Sequence, residues 1–189
     1  GATLVPTAAD LFGEADFVLK VNAPEPREVE AMKAGASLLA SLFPTRNLDS
    51  VKALASRNIT AFSTDCIPRT TRAQAMDTLS SQANITGYKG VLLGAAELPK
   101  YFPMFMTAAG TSLPAKVFVI GAGVAGLQAI ATARRLGASV SATDVRPEVK
   151  EQIESVGGKY IGIELGQAAQ AGGGYAAELS EGDKAKQAK

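Results

Sequence analysis

The chain has 189 residues, 19 Lys and Arg against 18 Asp and Glu, and a net charge of +1, enough for one ordinary domain or two small ones. Its 47% apolar content suits a globular protein, no basic block points to nucleic acid, and no apolar run is long enough to span a bilayer. Histidine is absent and cysteine occurs once, as Cys66, which excludes intramolecular disulfides, histidine-ligated zinc, Ser-His-Asp triads and imidazole proton relays. No metal site is expected, and Cys66 reads as a small buried residue.

In chain order, residues 7–12 have a short helical pattern, and Phe17-Val18-Leu19-Lys20-Val21 reads as a buried strand. After a loop over 22–26, Pro26 suits the first turn of a helix over 27–33. A strand over 37–43, a helix over 48–56 capped by Asn47, and a strand over 59–63 complete an alternation that implies a parallel sheet. Functional loops of such sheets lie beyond the carboxyl ends of the strands, here 20–24, 43–47 and 64–72. The third loop is the most polar. Thr71 and Gln74 read as a Thr-x-x-Gln capping box that starts a long helix at Arg72 and sets Gln74, Asp77 and Ser81 on one face. With Arg69 just before it, a guanidinium, an amide and a carboxylate gather at one helix N-terminus. That grouping suits a carboxamide and ribose hydroxyls, or equally a cap with a local Arg–Asp pair. The helix continues towards Glu97, with Gly87 the candidate bend. The apolar run Tyr101-Phe102-Pro103-Met104-Phe105-Met106 reads as core under a domain junction, with a subunit contact as the alternative. Residues 110–114 read as a linker.

The centre of the sequence is the β-branched run Val117-Phe118-Val119-Ile120, which stops in Gly121-x-Gly123-x-x-Gly126. A helical pattern follows to Leu136-Gly137, and then a strand over 138–143 ends on Asp144. This strand–turn–helix–strand–acid order is what a dinucleotide site requires. Gly121 permits the tight turn, Gly123 lets a pyrophosphate lie against the backbone, and Gly126 lets helix and strand pack closely. The helix N-terminus offers free N–H groups and partial positive charge to phosphate. Asp144 stands where an acid accepts hydrogen bonds from the adenosine ribose and repels a 2′-phosphate, so the sequence favours NAD(H). A helix over 147–156 and a strand over 159–163 follow. The chain reads as flexible after about residue 166, being Gly/Ala-rich and then charged. The fold class is α/β: two parallel-sheet units of Rossmann type, both incomplete, joined by a long helix and linker. The domains divide as 1–112 and 113–189, the second holding only the first mononucleotide half of a dinucleotide fold.

These residues resemble the NAD(H)-binding domain I of the alpha subunit of proton-translocating NAD(P) transhydrogenases, a family related to alanine dehydrogenase. The matching stretches are Leu19-Lys20-Val21-Asn22-Ala23-Pro24, residues 67–77, residues 79–84 with Gly87-Tyr88, residues 114–126 and residues 144–152. The resemblance implies that Arg69, Gln74 and Asp77 form an Arg-Gln-Asp loop holding the nicotinamide end in the reacting position, with Ser80 as a further contact. It implies that Gly121, Gly123, Val124, Ala125 and Gly126 hold the pyrophosphate, and that Asp144, Val145 and Arg146 hold the adenosine ribose. Lys20 and Pro24 fall in a motif shared with alanine dehydrogenases, where the lysine binds the oxo acid. The histidine that follows there is replaced by Phe43. Its absence speaks against amino-acid dehydrogenation and fits direct hydride transfer between nicotinamides, which needs no local proton shuttle.

The resemblance further implies NADP(H) on a partner domain, a membrane domain carrying the proton path, a homodimer of domain I, and a peripheral place on the cytoplasmic face of a bacterial inner membrane. It also implies that the family's first strand–helix units and the second nucleotide half are missing, leaving the isolated chain inactive alone. The alternatives are an alanine-type NAD-dependent dehydrogenase using Lys20, and a non-catalytic nucleotide-binding fragment.

Overall fold

The computed structural model describes residues 1–162. The α/β class expected from the strand–helix alternation is what the chain adopts, with two parallel sheets and one antiparallel hairpin among the described residues. Its packing forms two compact units, Gly1–Leu79 and Ser80 onward.

The first unit runs α1 (Ala8–Glu14), β1 (Phe17–Asn22), α2 (Pro26–Ala31), β2 (Ser37–Ser41), α3 (Leu48–Ser56) and β3 (Thr60–Ser63). Thr7 caps α1 by accepting the Asp10 N–H. The strands lie in the order β1-β2-β3, all parallel. Both crossovers advance the same way, so right-handed connections put α2 and α3 over one face. There Phe12, Val18, Val29, Met32, Leu38, Ala40, Leu42, Leu54 and Ile59 form the core. The other face is bare. Phe17, Leu19 and Phe62 are 51, 69 and 52% exposed, and Leu19, Leu39 and Phe62 are register partners across the three strands. The buried-strand reading of β1 is thus half corrected: a parallel strand is apolar on both faces because both are normally covered, and here one is.

One local expectation gives way to a better hydrogen bond. Asn47 does not cap α3 with its side chain; its Nδ2 donates instead to the Leu42 carbonyl at 2.8 Å, back across the loop. The cap of α2 is a reciprocal box in which Glu28 accepts the Glu25 N–H at 2.6 Å and also pairs with Lys20 at 2.9 Å. Burial pushes the Glu28 carboxyl up, but Lys20 and the Glu25 N–H outweigh it and hold it below its ordinary value. Glu28→Ala removes cap and ion pair together. Its expected cost is about 1 kcal/mol, read as a lower urea midpoint at unchanged slope.

In the second unit, α4 (Thr78–Glu97) enters from the first unit and precedes the hairpin β4 (Phe105–Thr107) and β5 (Gly110–Ser112). Then come β6 (Lys116–Ile120), α5 (Val124–Arg135), β7 (Ser139–Thr143), a 3-10 turn (Pro147–Val149), α6 (Lys150–Ser155) and β8 (Lys159–Tyr160). The sheet order β6-β7-β8 is the 1-2-3 half of a doubly wound sheet. On its other side β6 has no neighbouring strand among the described residues.

The run at 101–106 is not a block of core. Phe102 alone is buried, while Tyr101, Met104, Phe105 and Met106 are 46–75% exposed, and the expected linker at 110–114 begins as β5. α4 is assigned as one continuous helix through Gly87. A Cβ there would lie 2.1 Å from the Ala125 carbonyl oxygen, so Gly87 serves close helix approach. No helix among the described residues is long and apolar enough to cross a membrane. The strand expected over 159–163 ends at Tyr160, with residues 161 and 162 outside it; residue 163 and the expectation of flexibility after about residue 166 lie outside the described residues.

Candidate functional site

The glycine turn has the geometry its spacing predicts. Gly121 adopts φ +92°, a conformation that side chains rarely enter. Gly126 packs so closely that a Cβ would lie 1.8 Å from the Gly121 carbonyl oxygen. Gly123, the residue before α5, has extended backbone (φ −74°, ψ −168°), and a Cβ built on it would meet nothing within 4 Å. Open space therefore lies directly against the N-terminus of a twelve-residue helix, whose first turn, Val124 and Ala125 included, leaves backbone N–H groups without intrahelical partners. That arrangement fits a pyrophosphate.

Asp144 follows β7 and reaches back to the turn. Its Oδ2 accepts the Ala122 N–H at 2.6 Å. Arg146 closes on the same carboxylate with its backbone N–H at 2.9 Å, Nε at 3.1 Å and Nη2 at 3.2 Å. The Asp144 and Arg146 side chains are only 7 and 14% exposed. Burial pushes the Asp144 carboxyl up, but the Arg146 guanidinium and the Ala122 and Arg146 N–H groups prevail and hold it below its ordinary value. Val145 lies between them, partly buried.

In the first unit, the carboxyl ends of the strands carry the other expected residues. Lys20 lies where the β1–β2 register shifts, between Leu19 and Asn22, and is held by Glu28. The loop after β3 departs from expectation. Residues Thr64–Cys66 and Gln74–Met76 are 3-10 turns, and the helix begins at Thr78, not Arg72. At Asp77 the backbone turns to ψ 87°, which breaks any helix started earlier. Asp77 immediately precedes the helix, where a short acceptor is favoured, and that position prevails over the Thr-x-x-Gln signal. The shared helix face of Gln74, Asp77 and Ser81 is therefore not formed. Arg69 Nε and Asp77 Oδ2 approach to 3.8 Å, at 29 and 15% exposure. Gln74 is exposed on its turn, and Ser80 stands in the first turn of α4. Cys66 is exposed, not buried, because its 3-10 turn carries it off the sheet.

Sequence reasoning gave Asp65 no role and noted Phe43 only as the replacement for a histidine. Phe43 has φ 45°, and its N–H donates to both Asp65 oxygens at 3.2 Å. The only signal for either was an acid in a polar loop.

Two domain models of the family alanine dehydrogenase/PNT match in tandem, the N-terminal one at residues 1–86 and the C-terminal one at 90–186. The chain belongs to the alanine dehydrogenase/PNT family. Within that family its likenesses are unequal. It is 51% identical to an NAD(P) transhydrogenase subunit alpha chain of Rhodospirillum rubrum, over all of this chain and 51% of that one. Against the alanine dehydrogenase of Methanococcus maripaludis identity is 26%, over 85% of this chain and 43% of that one. The crystal structure of transhydrogenase from Sinorhizobium meliloti superposes with a TM-score of 0.79 at 54% identity, covering 82% of this chain and 46% of that one. The chain thus spans about half the length of these family members.

Proposed function

We propose that this chain is the NAD(H)-binding part of a proton-translocating NAD(P) transhydrogenase, presenting NADH for hydride transfer to NADP+ held on a partner domain. The observation that carries the reading is the open space at Gly123 against the α5 N-terminus, with the Asp144 carboxylate bonded to the same turn. Support for transhydrogenation over amino-acid dehydrogenation comes from 51% identity against 26%, and from a chain without histidine. When bound, NADH supplies a hydride from its nicotinamide ring. The work of this chain is then binding, orientation and exclusion of water.

On this reading Gly121, Gly123, Val124, Ala125 and Gly126 hold the pyrophosphate through backbone N–H groups. Asp144, flanked by Val145 and Arg146, accepts the ribose hydroxyls and rejects a 2′-phosphate. Arg69, Gln74 and Asp77 hold the nicotinamide end, Arg69 and Gln74 as donors and Asp77 as acceptor, with Ser80 beside them. The reading extends to a homodimer of this part, to NADP(H)-binding and membrane domains that carry the proton path, and to a peripheral position at the cytoplasmic face of a bacterial inner membrane.

The test is titration of the chain with NADH and with NADPH by nicotinamide fluorescence, followed by mixing with the NADP(H)-binding domain and an NADP+ analogue. Preferential NADH binding, with analogue reduction only when the partner domain is present, is expected. Turnover of NAD+ with alanine alone would instead establish the dehydrogenase. NADH binding without any transfer would leave a nucleotide-binding fragment.

A further inference from the structure

We propose that Asp65 is a positioning residue for the 64–77 loop, clamping its entry onto the end of β2 so that Arg69 and Asp77 are presented in one geometry. The inference rests on the reading of that loop as the nicotinamide-end site and deepens it.

The clamp is built from both strands. Asp65 follows β3 by two residues, and its Oδ1 accepts the Ser63 hydroxyl at 2.6 Å. Across the sheet it accepts the Phe43 N–H. Phe43 is one of two non-glycine residues with positive φ among those described. An aromatic residue holds that conformation only where its surroundings fix it, and the fixing groups are visible. The N–H is taken by Asp65, while the carbonyl accepts the N–H groups of Arg46 at 2.9 Å and Asn47 at 3.1 Å. Two more bonds join the same strand ends. Ser41 Oγ lies 2.7 Å from Thr64 Oγ1, and Ser63 Oγ accepts the Leu42 N–H at 3.3 Å. Burial acts to raise the Asp65 carboxyl, yet Ser63 and the backbone N–H groups hold it below its ordinary value, so the charged acceptor is the form present at neutral pH.

The loop's exit is tied to its entry, because Thr78 Oγ1 donates to the Thr64 carbonyl at 3.3 Å. Between these ends the chain is folded on itself. Ala73 is buried, its N–H donates to the Thr70 carbonyl at 3.0 Å, and Arg69 meets Asp77. Arg69 and Asp77 are thus side chains of a loop whose two ends converge at Thr64, one residue from the Asp65 carboxylate. Removing that carboxylate alters neither Arg69 nor Asp77 chemically, but frees the backbone from which both are hung.

The decisive experiment compares Asp65→Ala, Asp65→Asn, Ser63→Ala and Arg69→Ala in the full chain. Each variant is titrated with NADH and with ADP-ribose, which lacks the nicotinamide, and digested briefly with trypsin. Asp65→Ala is expected to bind NADH about ten-fold more weakly with ADP-ribose affinity unchanged. Cleavage after Arg69 and Arg72 is expected to accelerate several-fold as local opening becomes easier. Asp65→Asn, keeping one acceptor oxygen, falls between, and Ser63→Ala shifts both readouts the same way by less. Wild-type NADH affinity and cleavage in Asp65→Ala, beside weakened NADH binding in Arg69→Ala, overturns the inference alone. Unchanged NADH binding in Arg69→Ala overturns the reading of the loop itself. If Asp65→Ala loses ADP-ribose binding, its fold is damaged, and Asp65→Asn and Ser63→Ala decide on the same two readouts.

Discussion

Gly126→Ala is expected to unfold the second unit, whereas Gly123→Ala, three positions earlier, keeps the fold and loses the dinucleotide. The added atom is the same methyl. At Gly126 it lands 1.8 Å from the Gly121 carbonyl oxygen and 2.9 Å from its carbon. Neither backbone segment is free to yield: the Gly121 N–H is tied to the Thr143 carbonyl at 2.8 Å, and the Leu127 N–H to the Gly123 carbonyl at 2.9 Å. A clash between backbones exceeds ordinary core overpacking, so a cost above about 3 kcal/mol is expected. At Gly123 the φ and ψ suit alanine and the methyl enters open space. On the proposed reading that space is where phosphate oxygens approach, so stability is expected to stay unchanged within about 0.5 kcal/mol while NADH affinity falls at least ~100-fold. Urea denaturation followed by circular dichroism, with nicotinamide fluorescence alongside, separates the two effects. Wild-type NADH binding in Gly123→Ala would place the pyrophosphate elsewhere.

Asp144→Ala is expected to cost about 3 kcal/mol of stability and to reverse nucleotide preference. The truncation takes from the Arg146 guanidinium, 14% exposed, the carboxylate it bonds through Nε and Nη2, and removes the acceptor of the Ala122 N–H. On the proposed reading it also removes the acceptor for ribose hydroxyls and the negative charge that repels a 2′-phosphate, so NADH should weaken while NADPH tightens. The pH dependence has a definite sign. The folded carboxyl lies below its ordinary 3.8. It therefore contributes stability that is fully present above about pH 5 and is lost as pH falls through the folded value. Wild type and Asp144→Ala should converge in urea midpoint as pH is lowered from 5 towards 3. A constant gap across that range would mean that the carboxylate contributes by shape and not by charge.

The glycine turn of the second unit and the strand–helix alternation of the first were legible in the sequence, whereas the β4–β5 hairpin and the 64–77 loop were not. β6, α5 and β7 match their expected bounds within about two residues because a β-branched run, three glycines and an acid all point to one turn. Helix α3 was equally clear, the expected 48–56 being the observed Leu48–Ser56. The 64–77 loop was not, because Thr71 and Gln74 imitate a helix start that Asp77 and the Arg69–Asp77 pair override. Asn47 has the residue type of a cap and spends its amide on a carbonyl behind it. The left-handed turn at Phe43 leaves no local trace, since an acid twenty-two residues away stabilises it. The bare face of β1 was illegible for a related reason: the side chains of a parallel strand say that a cover belongs there, not which segment supplies it.

On the proposed reading, the crowding around Asp144 makes nucleotide binding an exchange. Both carboxylate oxygens are already used, one by Ala122 and both by Arg146. A ribose cannot simply add to this acid; it must take over acceptor positions that the guanidinium holds. What decides binding there is the difference between two well-satisfied arrangements, the carboxylate bonded by the guanidinium and the carboxylate bonded by the ribose. On that reading the site draws a modest net affinity from strong individual bonds.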